Sequence, residues 1–116
     1  MGMFDREPNF GETFKEGDRF VLDAAEYMGK IQTREGPAEK SSFTIRTQEH
    51  QEPVRYSVLG VGFANQAKRA DAGDFPQVVE FVTEATGSGD NRVKLVAPVR
   101  VEPDEFLSGN NGPRLD

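Results

Sequence analysis

Apolar and polar residues alternate with a period of two over most of the middle of this chain, the spacing of a half-buried β-strand. Phe20, Leu22 and Ala24 fall on one face of residues 19–24, and beyond Glu26 the inward set continues at Tyr27, Gly29 and Ile31. A slip of one residue near Ala25–Glu26 is what a β-bulge does, and Gly29 allows a sharp bend. Residues 19–34 therefore read as one long, bent first strand, with helix as the competing reading over Asp23–Met28.

Glu35-Gly36-Pro37 signals a turn, with a loop running to about Lys40. The second strand covers 41–47, with Phe43 and Ile45 inward and Ser42, Thr44 and Arg46 outward. Polar residues 48–52 end before Pro53 and form a hairpin loop. The third strand, 54–60, puts Val54, Tyr56 and Val58 on one face and Arg55, Ser57 and Leu59 on the other. Then the period lengthens. Phe63, Ala67 and Ala70 fall at i, i+4 and i+7, one face of a short helix ended by Gly73 and Pro76. Residues 77–86 return to strand with Val79, Phe81 and Ala85 inward, and 87–91 form a flexible hairpin loop. The last strand, 92–101, is expected to point Val93, Leu95, Ala97, Val99 and Val101 inward. Pro98 lacks an N–H and needs an edge or a bulge.

Residues 1–17 hold Pro8, Gly11, Gly17 and several acids, a flexible acidic lead-in. Residues 103–116, rich in Gly, Asn and Pro, read as a disordered tail. One domain over 18–102 remains, and 116 residues leave room for one core only. The nine phenylalanines carry most of the hydrophobic driving force, about 1.5–3 kcal/mol for each ring fully buried. Without cysteine there is no disulfide and no thiolate metal site. The polar start, Met1 to Asp18, lacks the apolar region of a signal peptide, and no apolar run approaches the roughly 20 residues of a membrane helix. A cytoplasmic protein with no membrane partner is expected.

Net charge is −6, which argues against bulk attraction to duplex DNA. Its distribution is uneven. Residues 1–29 carry three basic and seven acidic side chains, 30–69 seven basic and four acidic, and 70–116 four basic and nine acidic. A cationic middle lies between anionic flanks. Catalytic chemistry finds little support. His50, the only histidine, sits in a polar loop with no local Ser or Asp partner. Gly60-Val61-Gly62-Phe63 lacks the third glycine of a dinucleotide fingerprint and is not followed by Gly-Lys-Ser/Thr. Glu80 and Glu84, four apart on a strand, stand roughly 13 Å apart, too far for a glycosidase pair. No enzyme activity, metal or cofactor is expected.

The order is strand, strand, strand, helix, strand, strand. A bent first strand can pair in two directions, which lets five strands curl into a barrel, and the small residues of the helix suit it to plug an open end. In this order, over about residues 19–101, the chain resembles the OB-fold family. An SH3-like barrel and a small β-sandwich are the alternatives. The resemblance implies a mostly β fold: a five-stranded OB-like Greek-key barrel with one short helix between strands three and four. It implies a ligand face on the second and third strands and the first and last hairpin loops. The acidic tail looks like those of single-stranded-DNA-binding proteins, although Pro113-Arg114-Leu115-Asp116 lacks their terminal aromatic. The composition, rich in Gly, Asp, Glu and Arg, resembles that of small bacteriophage-encoded barrel proteins of actinobacterial viruses.

On that face, Thr44, Arg46, Arg55 and Ser57 point outward, joined by Lys30, Gln32 and Arg34 near the first loop. Lys40 lies in that loop, and Arg92 and Lys94 border the last one. Single strands are held by such cationic grooves combined with aromatic platforms. Tyr56 is the candidate platform, against a plain core role. The expected function is a single-stranded nucleic-acid binding module, foremost for DNA in replication or recombination. It would act through Lys30, Arg34, Lys40, Arg46, Arg55, Tyr56, Arg92 and Lys94. The alternative is a non-catalytic protein-interaction or assembly module, such as a viral accessory or structural protein, or self-association.

Overall fold

The computed structural model describes residues 7–85 and 92–113. Five strands, β1 (Arg19–Thr33), β2 (Gly36–Arg46), β3 (Val54–Leu59), β4 (Gln77–Ala85) and β5 (Arg92–Pro98), form one antiparallel sheet in the order β3-β2-β1-β4-β5. Three short helices, α1 (Phe10–Thr13), α2 (Val61–Arg69) and α3 (Pro103–Leu107), and a 3₁₀ turn at Ala72–Asp74 complete it. The fold is mostly β, with α2 between β3 and β4 as the sequence pattern requires.

The first strand pairs in two directions. Its start, from Arg19 opposite Glu80 to Leu22 opposite Gln77, lies against β4, while Val21 to Thr33 lies against β2. The bend comes from two slips rather than one. Asp23 and Met28 are each passed over in the β2 ladder, so Ala24 turns out to solvent while Ala25 and Tyr27 pack on the core. The turn after β1 is tighter than its sequence suggests. Gly36 adopts φ +113°, a conformation L side chains rarely take, so Thr33 pairs directly with Gly36 across Arg34 and Glu35. Pro37 to Lys40 thereby join β2, and Lys40 stands in a strand rather than a loop.

Hydrogen bonds do not close the sheet, because β3 and β5 are its edges. Each edge is covered instead. Gln66 of α2 donates from Nε2 to the Val96 carbonyl (2.7 Å), and its Oε1 accepts from the Val96 N–H (3.0 Å). The helix lies close because position 62 is glycine: a Cβ there would overlap the Lys94 carbonyl and the Val93 side chain. At the other edge, the Ser57 N–H donates to the Pro8 carbonyl at 2.9 Å.

That contact corrects the reading of residues 1–17 as a loose lead-in, since the described part of the segment is built into the fold. Phe10 is 1% exposed and lies 5.2–5.8 Å from the rings of Phe14, Phe20, Phe43, Phe63 and Phe81, in tilted and edge-on arrangements. The tail is corrected too, as far as Pro113. Phe106 of α3 covers Val21, Val78 and Val99 on the opposite face of the sheet, and Gln48 and Gln51 donate to the Phe106 and Leu107 carbonyls. Residues 1–6, the expected 87–91 loop and the chain end at 114–116 lie outside the described residues.

The parity of β5 is opposite to that expected. Val96, paired with Phe81, enters the main core, while Val93 and Leu95 lie on the other parity and are only partly buried. Val93, Leu95 and Ala97 alternate with Arg92 and Lys94, so alternation points this strand the other way, with Val96 alone of its parity entering the main core. Pro98 ends β5 at the edge of the sheet, where its missing N–H breaks no ladder.

Candidate nucleic-acid interface

Three of the cations expected to form a binding stripe, Lys30, Arg46 and Arg55, are already engaged by carboxylates. Arg46, on the face of β2 away from the main core, donates from Nε and Nη2 to both oxygens of Asp23 at 2.7 and 2.8 Å. Asp23 is the residue extruded by the first bulge, so the slip that bends β1 also supplies this partner. The hydrogen bond to Asp23 raises the Arg46 pKa against an opposing effect of burial, with the charges of Asp23 and Asp104 adding to the rise. Arg55 is held on three sides. Its guanidinium is 3.1 Å from Glu7 and 3.4 Å from Glu26, and Nε donates to Ser42 Oγ at 2.5 Å.

Lys30 belongs to a different group. Tyr27 donates its hydroxyl proton to Glu39 Oε1 at 2.5 Å, Lys68 Nζ is 3.7 Å from the same oxygen, and Lys30 Nζ is 4.0 Å from Oε2. Lys68 also stands 4.4 Å from the Tyr27 ring centroid, a cation–π contact. The tyrosine hydrogen bond lowers the Glu39 pKa, with burial opposing and the two lysines assisting. Glu39 in turn raises the Tyr27 pKa, first through that hydrogen bond, then with burial and its own charge. The cluster fastens the end of α2 to the β1–β2 arm.

Tyr56 is core rather than platform. It is 9% exposed, its ring packs at 5.1 Å against Phe14, and burial raises its pKa. The remaining four expected residues have no carboxylate within 4.0 Å among the described residues. Arg34 is exposed at the tip of the β1–β2 turn, and Lys40 stands in β2 opposite Gly29 and Leu59. Arg92 and Lys94 are exposed on β5. The eight residues do not share one stripe. Lys94, opposite Thr83, has the parity of Val96 on the core side, whereas Arg46 and Arg55 lie on the other face.

What sequence reasoning missed is a cleft of about 370 Å³ between α1, the end of β3, the start of α2 and the far end of the β4–β5 hairpin. Phe10, Phe14, Phe63 and Phe81 line it, with Lys15, Glu16 and Lys94 among its polar walls. Phe14 and Lys15 went unnoticed because they belong to the segment read as loose. The pair Phe10 and Phe14, one helical turn apart, is the signal that was there. A wider cleft of about 630 Å³ opens beside Tyr56 and Phe106, but its one guanidinium, Arg19, is bound to Glu80 (2.7 Å) and to the Asn111 carbonyl. His50 is a turn residue whose N–H donates to Thr47 Oγ1 at 2.9 Å. Among the described residues no three His, Asp or Glu side chains gather as metal ligands. No described helix is long and apolar enough to cross a membrane. Comparison with protein-family models, with curated proteins and with solved structures finds no match to this chain.

Proposed function

We propose that the protein is a non-catalytic module that binds single-stranded nucleic acid through an OB-like, partly open barrel. Support for the barrel comes from the strand order, in which β1 pairs with both β2 and β4 and α2 follows β3. The observation that carries the function is the selective pairing of charge. Arg19, Arg46 and Arg55 each have a carboxylate partner, while Arg34, Lys40, Arg92 and Lys94 have none among the described residues. Cations left unpaired in an acidic chain remain available for phosphates, whose contacts are not sequence-specific. Fluorescence anisotropy with labelled oligo-dT tests this. Binding is expected at about 50 mM salt, where the backbone attraction is strong, and should weaken as salt rises. Arg34→Glu with Lys40→Glu should weaken it further. Absence of binding at that salt ends the proposal.

A second reading, a protein-interaction module, is favoured by exposed apolar side chains. Met28, Ile31, Leu59 and Val61 are 38–59% exposed, three of them on or beside the β1–β2 arm around Lys40. Pull-down from lysate with and without nuclease separates the two. A specific partner that survives nuclease, together with no affinity for oligo-dT, supports the second.

A further inference from the structure

The four-phenylalanine cleft brings together in one place an aromatic wall and cations without carboxylate partners among the described residues. Its apolar wall includes Phe14, a half-buried ring in contact with Phe10, Phe20 and Tyr56 and so held in place from behind. Its polar wall includes Lys15 and Lys94, both exposed and both without a carboxylate within 4.0 Å among the described residues, although Glu16 lines the same cleft. The cleft opens where the sheet is unclosed, at the end of β3 and beside Lys94 of β5. A flat apolar group carrying a negative charge complements such a site. A nucleotide has that shape and charge, and aromatic stacking with a nearby cation is the general way a single strand is held.

We infer that this cleft captures one nucleotide of a single strand, the base against Phe14 and its phosphate near Lys15 and Lys94. The inference rests on the nucleic-acid reading above and adds a specific site to it. The Phe14–Lys15 pair works as one unit because α1 packs Phe10 into the core and thereby fixes the residues that follow. Gly62 contributes by letting α2 press against the Lys94 backbone, which sets the far wall.

Anisotropy with oligo-dT and with an abasic oligonucleotide of equal length tests the site. The wild-type protein should bind oligo-dT at least about fivefold tighter than the abasic strand, the effect expected of one stacked base. Lys15→Glu with Lys94→Glu should lower affinity about tenfold or more without changing the melting temperature. A control with the same charge change elsewhere, Arg69→Glu with Arg100→Glu, should lose clearly less. The chain has no tryptophan, so Phe14→Trp supplies a single reporter whose emission should be quenched by oligo-dT and not by the abasic strand. Equal binding of the two strands, or equal losses in the two charge variants, overturns the cleft while leaving the nucleic-acid reading intact. No binding of oligo-dT to the wild type overturns both.

Discussion

Glu39 shows how one side chain ties local chemistry to global stability. Its carboxylate accepts from Tyr27 and faces two lysines, and its pKa is lowered in the folded protein. The stability it contributes is therefore present above the ordinary carboxylate pKa and lost as pH falls through the lowered value. Tyr27 is the mirror case. Its pKa is raised, so its contribution is present below the ordinary tyrosine value and lost as pH rises through the raised one. Melting temperatures measured across pH should show Glu39→Gln and Tyr27→Phe losing less than the wild type on the acid side, because the linkage is already gone. Superimposable acid limbs in all three proteins would mean that the cluster contributes no measurable stability. None of this was legible in the sequence, since residues 27, 39 and 68 are joined only by strand register and helix placement. Phe10 was hidden for another reason. Two rings one helical turn apart, Phe10 and Phe14, make too short a pattern to stand out in a polar stretch, yet burying Phe10 is enough to anchor the segment.

At the scale of elements, the sequence was most informative where only one parity is apolar. Residues 43–45 and 54–58 alternate cleanly and their apolar members fell on the expected face, as did Phe20 and Leu22, although Val21 between them is apolar and buried on the opposite face. It misled in β5, where Val93, Leu95 and Ala97 alternate with Arg92 and Lys94, yet Val96, on the parity of the charges, is the residue in the main core. There α2 lies against the strand, through the Gln66–Val96 hydrogen bonds and the close approach at Gly62. A Cβ at position 62 would meet backbone as well as the Val93 side chain, and backbone in a paired strand cannot easily give way. Gly62→Ala should destabilise the protein by about 1–3 kcal/mol, the usual range for overpacking. It should do so although alanine is the better helix former. Urea unfolding monitored by circular dichroism checks the sign: a stabilised variant would show that α2 stands off from β5.

For the molecule as a whole, the proposed function asks a chain of net charge −6 to hold a polyanion. The middle of the chain is cationic in composition, but Arg46 and Arg55 are met by carboxylates at the surface. Composition counts arginines but not the carboxylates that the bulge at Asp23 or the segment at Glu7 brings to them. Engaged arginines release few counterions, so the salt dependence of binding should be shallow. Each phosphate neutralised on a single strand adds about −0.7 to the slope of log affinity against log salt. If Lys15, Arg34, Lys40, Arg92 and Lys94 each neutralise one phosphate, they contribute about −3.5 to that slope. A steeper slope would mean that further cations take up phosphates, and Arg46 and Arg55 could do so only by exchanging their carboxylates. The double variant Arg46→Glu with Arg55→Glu distinguishes the cases. If the arginines serve the fold, it should lower the melting temperature by placing new carboxylates against Asp23, Glu7 and Glu26, while the salt slope stays unchanged. If they serve the ligand, the slope should flatten by about 1.4, the contribution of two phosphates.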